Sequence, residues 1–277
     1  MLKSVLLLVV AMVSIQSGAT LAKSLFPVLG AAGTSAVRLF FATIILWAIW
    51  RPWKYNFTRL QLQRLALYGL SLGLMNLLFY FAIVRIPLGV AVALEFTGPL
   101  AVAIAKSKSK FDYFWAVLAG IGIYLLLPVS GTSNLDPIGM ALALGAGFFW
   151  ALYILYGQSA GSDLHGGLAT TIGMTFAALI VIPFGIYQAG WSLLDLGLLP
   201  LGILVAVFSS ALPYSLEMVS MKRLSTQTFG VLMSLEPAIG AMAGLAFLNE
   251  ELLLVQWLAI FCIIFSSLGS TLTSARR

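Results

Sequence analysis

The 277-residue chain is poor in charge: Asp, Glu, Lys and Arg together make up 9% of it. Soluble globular domains carry about 25%, so an ordinary water-facing enzyme is excluded. The single cysteine, Cys262, lies in an apolar stretch with no partner in the chain, which rules out an internal disulfide framework and a multi-cysteine metal site. The single histidine, His165, stands beside Asp163 in the loop from Gly157 to Gly166 and reads as a solvated loop residue. No spacing suited to nucleophilic catalysis, phosphate cradling or metal ligation occurs, so neither catalysis nor a bound cofactor is expected. Acidic residues are fewer than basic ones, leaving a formal charge of +6. A nucleic-acid partner needs basic residues gathered on one hydrated face. Here they fall in short runs between apolar segments, as topology signals do, and no nucleic-acid partner is expected.

What is abundant is hydrocarbon: 61% of residues are hydrophobic and the mean hydropathy is +1.05. A bilayer core about 30 Å thick takes roughly 20 apolar residues as helix, because an unpaired backbone group in lipid costs several kcal/mol. Ten segments meet that demand, near residues 4–26, 31–50, 64–84, 88–105, 111–128, 137–157, 167–189, 194–219, 225–248 and 252–273. They use nearly every residue and leave no soluble domain. The expected fold is an all-α integral membrane protein of ten transmembrane helices, with membrane lipid around it. The first segment, with Lys3 ahead of an apolar run, also resembles a signal peptide, but the run passes the would-be cleavage site and leads into another span, so a retained helix is expected.

Basic residues in short loops stay on the cytoplasmic side. Placing both termini in the cytoplasm collects Lys3, Arg51, Lys54, Arg59, Arg64, Lys106, Lys108, Lys110, Lys222, Arg223, Arg276 and Arg277 there and leaves Lys23 and Arg85 outside. Asp136, Asp195, Glu250 and Glu251 fall outside as well, which agrees but adds little.

An internal repeat runs through this pattern. Residues 89–95 read GVAVALE and residues 230–236 read GVLMSLE, each acid being followed soon by proline, Pro99 or Pro237. The copies fall in the fourth and ninth spans, as a duplication of five spans requires. Five is odd, so the copies, residues 1–133 and 134–277, enter the membrane with opposite polarity, an arrangement shared by many secondary transporters. Pro99, Pro213 and Pro237 release the carbonyls of Glu95, Ser209 and Met233 four residues back, and broken helices are tolerated in lipid only where backbone faces protein or a wet cavity. Gly69 with Gly73, and Gly240 with Gly244, permit close helix contact.

Lys23, Arg38, Glu95, Glu217 and Glu236 fall inside apolar spans or near their ends. A mid-helix charge costs about 2.5 to 3.5 kcal/mol on insertion scales, so each should face the bundle interior or water. Lys23, near a span end, alternatively snorkels to the interface. Arg38 and Glu236 either form a structural ion pair or take part in coupling. Burial penalises the charge of an acid, which makes Glu95 and Glu217 proton-coupling candidates. Polar companions recur at helical spacing: Gln16, Thr20 and Lys23; Asn76 and Tyr80; Trp150 and Tyr153; Ser210, Tyr214 and Glu217. Such faces can enclose one cavity. Carboxylates with an aromatic box suit an ammonium group, and a nearby Lys or Arg suits a carboxylate, so a zwitterionic amino acid matches both.

The stretches AMVSIQSGATLAKSLFP, VRLFFATIIL, PLGVAVALEFTGPLAVA, LALGAGFFWALYILYGQ, ALPYSLEM and TFGVLMSLEPA resemble the EamA-type branch of the drug/metabolite transporter superfamily, and within it bacterial inner-membrane exporters of small amino acids. The likeness spans nearly the whole chain. It implies efflux of threonine, homoserine and analogues driven by the proton gradient, through a cavity lined by the first, third, fourth, sixth, eighth and ninth helices. On those helices fall the expected substrate-binding residues Lys23, Asn76, Tyr80, Glu95, Trp150, Tyr153, Tyr214 and Glu217, while Arg38 is on the second. Related exporters move drugs or other metabolites within a similar frame, and the aromatic face permits that cargo too.

Overall fold

The computed structural model describes residues 2–86, 88–106, 110–126, 136–162, 164–233, 235–239, 242 and 254–275, and within these all side chains except those at positions 20, 23, 88–90, 93, 126, 227, 256, 267, 270, 271, 274 and 275. Every regular element among the described residues is helical. The helices are α1 (Leu2–Lys23), α2 (Phe26–Trp50), α3 (Arg59–Arg85), α4 (Leu88–Glu95), α5 (Thr97–Ala105), α6 (Lys110–Leu126), α7 (Pro137–Gly161), α8 (Gly166–Ala189), α9 (Leu199–Ala206), α10 (Leu212–Met221), α11 (Thr226–Met233) and α12 (Leu254–Ala275). Among the described residues, six helical stretches are long and apolar enough to cross a membrane. Gly240, Gly244, Asp163, Lys108, Glu250, Glu251, Arg276 and Arg277 lie outside the described residues.

The helix ends follow their local chemistry. Thr58 and Gln61 cap α3 reciprocally, the Gln61 N–H donating to Thr58 Oγ1 over 3.2 Å and the Thr58 N–H to Gln61 Oε1 over 2.9 Å. Asp136 caps α7 by accepting from the Ile138 N–H at 2.9 Å, with Pro137 behind it where a missing donor costs nothing. His165 is an exposed residue outside the helices, as its loop position suggests, and it also caps α8, its Nδ1 accepting from the Gly167 N–H at 3.3 Å, with its ring 4.6 Å from that of Trp50.

The fourth and eighth apolar segments depart from regular α-helix just ahead of a proline, whereas Pro183 sits within α8 without interrupting it. Phe96 separates α4 from α5, so Pro99 falls in the first turn of α5, where an absent N–H is no loss. A Cβ on Gly98 would stand 1.8 Å from the Gly147 carbonyl oxygen, and one on Gly147 2.5 Å from that of Glu95. The break therefore crosses α7 backbone to backbone. In the eighth segment a π turn, Val207–Ala211, joins α9 to α10 just ahead of Pro213. Its loosened carbonyls find side-chain donors: Ser14 Oγ donates to the Phe208 carbonyl at 2.6 Å. These are the alternative partners a broken helix needs in a medium without water.

Neighbouring helices pack along seams of small residues. α2 runs along α8, α3 lies between α7 and α8, α1 packs on α10, and α6 packs on α12. Gly69 and Gly73 of α3 meet α8 so closely that a Cβ at Gly69 would fall 2.3 Å from the Gly173 carbonyl oxygen. Polarity is inverted relative to a water-soluble protein. Phe40, Ile44, Phe148, Leu179 and Phe261 face outward, whereas Arg38, Asn76, Glu95, Glu217 and Glu236 are buried. Tyr187 and Trp191, 94% and 87% exposed at the end of α8 and beyond it, have the amphipathic character that suits a membrane interface.

Candidate functional site: a central polar cavity

Five buried polar residues, Arg38, Asn76, Glu95, Glu217 and Glu236, converge on one cavity. It is lined by Ile15, Gln16 and Ala19 of α1; Phe26 and Arg38 of α2; Met75, Asn76, Phe79, Tyr80 and Ile83 of α3; Val92 and Glu95 of α4; Trp150 of α7; Tyr214 and Glu217 of α10; and Glu236. Its volume is about 80 Å³. One water takes roughly 10–15 Å³ on the same basis, so the space suits a few waters or one small polar solute.

Arg38 is held on two sides. Its Nη2 donates to Asn76 Oδ1, and its guanidinium carbon lies 4.9 Å from the centre of the Tyr80 ring, within cation–π range. Asn76 is tied to its own helix through Nδ2 and the Leu72 carbonyl at 2.8 Å, and to Tyr214 Oη at 3.1 Å. The cation is thus fixed by α3 and α10 together. Of the two readings of Arg38 and Glu236, the direct ion pair is not seen: among the described residues Arg38 Nε and Glu236 Oε2 have no protein partner, and both residues line the cavity. The guanidinium contacts Asn76 and Tyr80 instead.

Beneath the cavity the packing is dense. Tyr153 Oη donates to Glu217 Oε2 at 2.6 Å, and Glu217 Oε1 has no partner among the described residues. Tyr153 is itself fully buried and does not line the cavity, so it holds an acid in place rather than meeting the contents directly. It sits one turn further along α7 than Trp150, which does line the wall and is braced edge-on by Phe96 at 5.7 Å. Tyr68 stacks on Tyr153 at 5.2 Å and is wedged against Gly173, where a Cβ would approach its ring to 2.2 Å. Leu8, Met12, Leu65 and Met218, all at zero exposure, belong to the same buried core cluster.

Of the residues expected from sequence, Arg38, Asn76, Tyr80, Glu95, Trp150, Tyr214, Glu217 and Glu236 meet at the cavity. Gln16 joins them, Ser210 sits apart in the π turn, and the Lys23 and Thr20 side chains lie outside the described residues. Sequence reasoning missed Phe26, Phe79, Ile83 and Tyr68, since nothing separates an aromatic residue that lines a cavity from one that packs.

Helices that expose apolar faces, break at proline and wrap charged groups around a central cavity define a multi-pass membrane transporter class. The chain belongs to the EamA-like transporter family, which residues 137–272 match. It is 54% identical over 274 residues to the threonine/homoserine exporter RhtA of Salmonella typhimurium (strain LT2), covering 99% of this chain and 92% of that one. To the threonine/homoserine exporter RhtA of Escherichia coli (strain K12) it is 53% identical, over 97% and 91% of the two chains. A protein solved by crystallography superposes with a TM-score of 0.77 over 99% of this chain and 98% of its own at 14% identity, a likeness of fold alone. The chain is accordingly a multi-pass protein of the bacterial inner membrane.

Proposed function

We propose that the protein exports threonine, homoserine and related small amino acids by proton antiport with alternating access. It is a carrier and not an enzyme. In this reading it has ten spans in two inverted halves, residues 1–133 and 134–277, with both termini in the cytoplasm. One observation carries the proposal: a single cavity joins the guanidinium of Arg38 to three carboxylates, Glu95, Glu217 and Glu236, and among the described residues Arg38 Nε, Glu217 Oε1 and Glu236 Oε2 have no partner. A zwitterion supplies the missing partner at each end, its carboxylate to Arg38 and its ammonium to the acids. Two of those acids close the GVxxxLE copies, Glu95 in the first half and Glu236 in the second, as expected if related halves share one central site. The identity to threonine/homoserine exporters supports the cargo.

The cycle follows from charge balance. An acid of the cavity, Glu95 or Glu217, holds the cargo's ammonium while ionised. A proton arriving from the outer side neutralises it, weakens that hold and favours release. Return to the inner side deprotonates the acid and restores the site.

Purified protein in liposomes under an imposed pH gradient tests this. Threonine flux is expected to saturate and to follow the gradient, and Glu95→Gln and Glu217→Gln are expected to lose proton coupling. Full flux and coupling in both variants would overturn the mechanism. A bound fluorescent cation that threonine fails to displace would shift the cargo to drugs.

A further inference from the structure

α2 is broken close to its start. Gly30 has φ +67° and ψ −178° within an otherwise helical segment, a left-handed φ that favours glycine. Two residues on, the Ala32 N–H donates to Gln188 Oε1 at 2.6 Å, a contact reaching from the end of α8 across 156 residues of sequence. A Cβ at Gly30 would stand 2.6 Å from Gln188 Cδ, so the amide fills the space that the missing side chain leaves. Beside it Gly33 closes on Ala189, where a Cβ would come to 2.7 Å. The end of α8 is thus docked into the bend of α2.

The bend places Phe26. The turn ahead of Gly30 carries this half-buried ring to the cavity wall, edge-on to Tyr80 with centroids 5.5 Å apart. Tyr80 is the ring over which Arg38 lies. A line of contacts therefore runs from Gln188 through the Gly30 bend and Phe26 to Tyr80 and the guanidinium of Arg38. We propose that Gln188 is a positioning residue for transport: by holding the bend it keeps Phe26 at the rim of the cavity and Tyr80 beneath Arg38. The proposal rests on the transport reading above for its kinetic consequence, though not for its geometric one.

Two readouts separate them. A lone cysteine is placed in the cavity by Ile83→Cys in a Cys262→Ser background, and its labelling by a membrane-impermeant maleimide is followed in liposomes. Removing the amide by Gln188→Leu is expected to raise the labelling rate about fivefold, the population shift that one lost hydrogen bond produces. Gln188→Glu keeps an acceptor oxygen at the same reach and should restore the original rate, and Phe26→Ala should match Gln188→Leu. Threonine flux, in chains without Ile83→Cys, should show a raised KM and a nearly unchanged maximal rate in Gln188→Leu, with Gln188→Glu reversing the change. Equal labelling rates in the original, Gln188→Leu and Phe26→Ala proteins would overturn the proposal. Failure of the unaltered protein to move threonine, with the labelling pattern intact, would instead overturn the cargo reading alone.

Discussion

Tyr153 donates its hydroxyl hydrogen to Glu217 Oε2 across 2.6 Å, and neither residue is more than 1% exposed. Glu217 also faces the cavity, so this bond joins the buried core to the cavity lining. Tyr68, stacked behind Tyr153, has a buried hydroxyl with no partner among the described residues. The two tyrosines should respond differently to loss of the hydroxyl. Tyr153→Phe leaves a buried carboxylate short of its donor, at a cost of about 1–3 kcal/mol, and is expected to lower the thermal midpoint and slow threonine flux. Tyr68→Phe removes an unpaired group and should leave the midpoint unchanged or higher. Thermal denaturation in detergent, with flux in liposomes, checks the contrast.

Arg38 presents a planar fork that bonds Asn76 while its face lies on Tyr80. Lysine keeps the charge but has neither the plane nor the fixed fork. Arg38→Lys is therefore expected to raise the KM for threonine by about tenfold or more, equivalent to roughly 1.4 kcal/mol, and Arg38→Ala to abolish transport. A KM unchanged in Arg38→Lys would remove the cation from cargo recognition.

The crossing of Gly98 and Gly147 has no space for a methyl group, since the Cβ positions would lie 1.8 Å and 2.5 Å from carbonyl oxygens. Overpacking of a close contact costs about 1–3 kcal/mol, more where backbone must move. Gly98→Ala and Gly147→Ala should each lower membrane accumulation and thermal midpoint. Gly190→Ala, where nothing lies within 4 Å, should have a smaller effect that comes from its φ of 53° alone.

Asp136 joins the start of α7 to the end of α3 through a 2.9 Å contact with Arg85. The Arg85 hydrogen bond, helped by the Ile138 N–H, holds its carboxyl below the usual range. A depressed folded value means that the stabilisation is complete above the unfolded value, about 3.9 for aspartate, and disappears as pH falls through the folded one. The difference in thermal midpoint between the original protein and Asp136→Asn should be constant from neutral pH to about pH 5, and should shrink only in stronger acid. Both groups are solvent-accessible, so high salt should reduce it throughout.

Much of this protein is legible before any coordinates. A lipid solvent demands long apolar helices, so apolar helical segments can be read from hydropathy, six of them long enough to cross a membrane among the described residues. Pro99 and Pro213 lie just after places where the helix departs from regular geometry, whereas Pro183 sits inside an unbroken α8. The cost of charge in lipid singles out Arg38, Glu95, Glu217 and Glu236 as interior groups, and all four face the cavity. Legibility ends where two helices meet. Trp150 and Tyr153 share a face by spacing, yet one lines the cavity and the other lies beneath its floor.

Periodicity decides which side chains share a face of one helix, because the backbone geometry of a helix is local, and the polarity of the solvent decides which face turns inward. Which inward faces touch, and at what height, depends on helix crossings set by contacts distant in sequence, such as Gly98 against Gly147 and Gln188 in the bend at Gly30. That is why the tertiary structure alone paired Arg38 with Asn76 and Tyr80 instead of Glu236, and brought Phe26 to the rim.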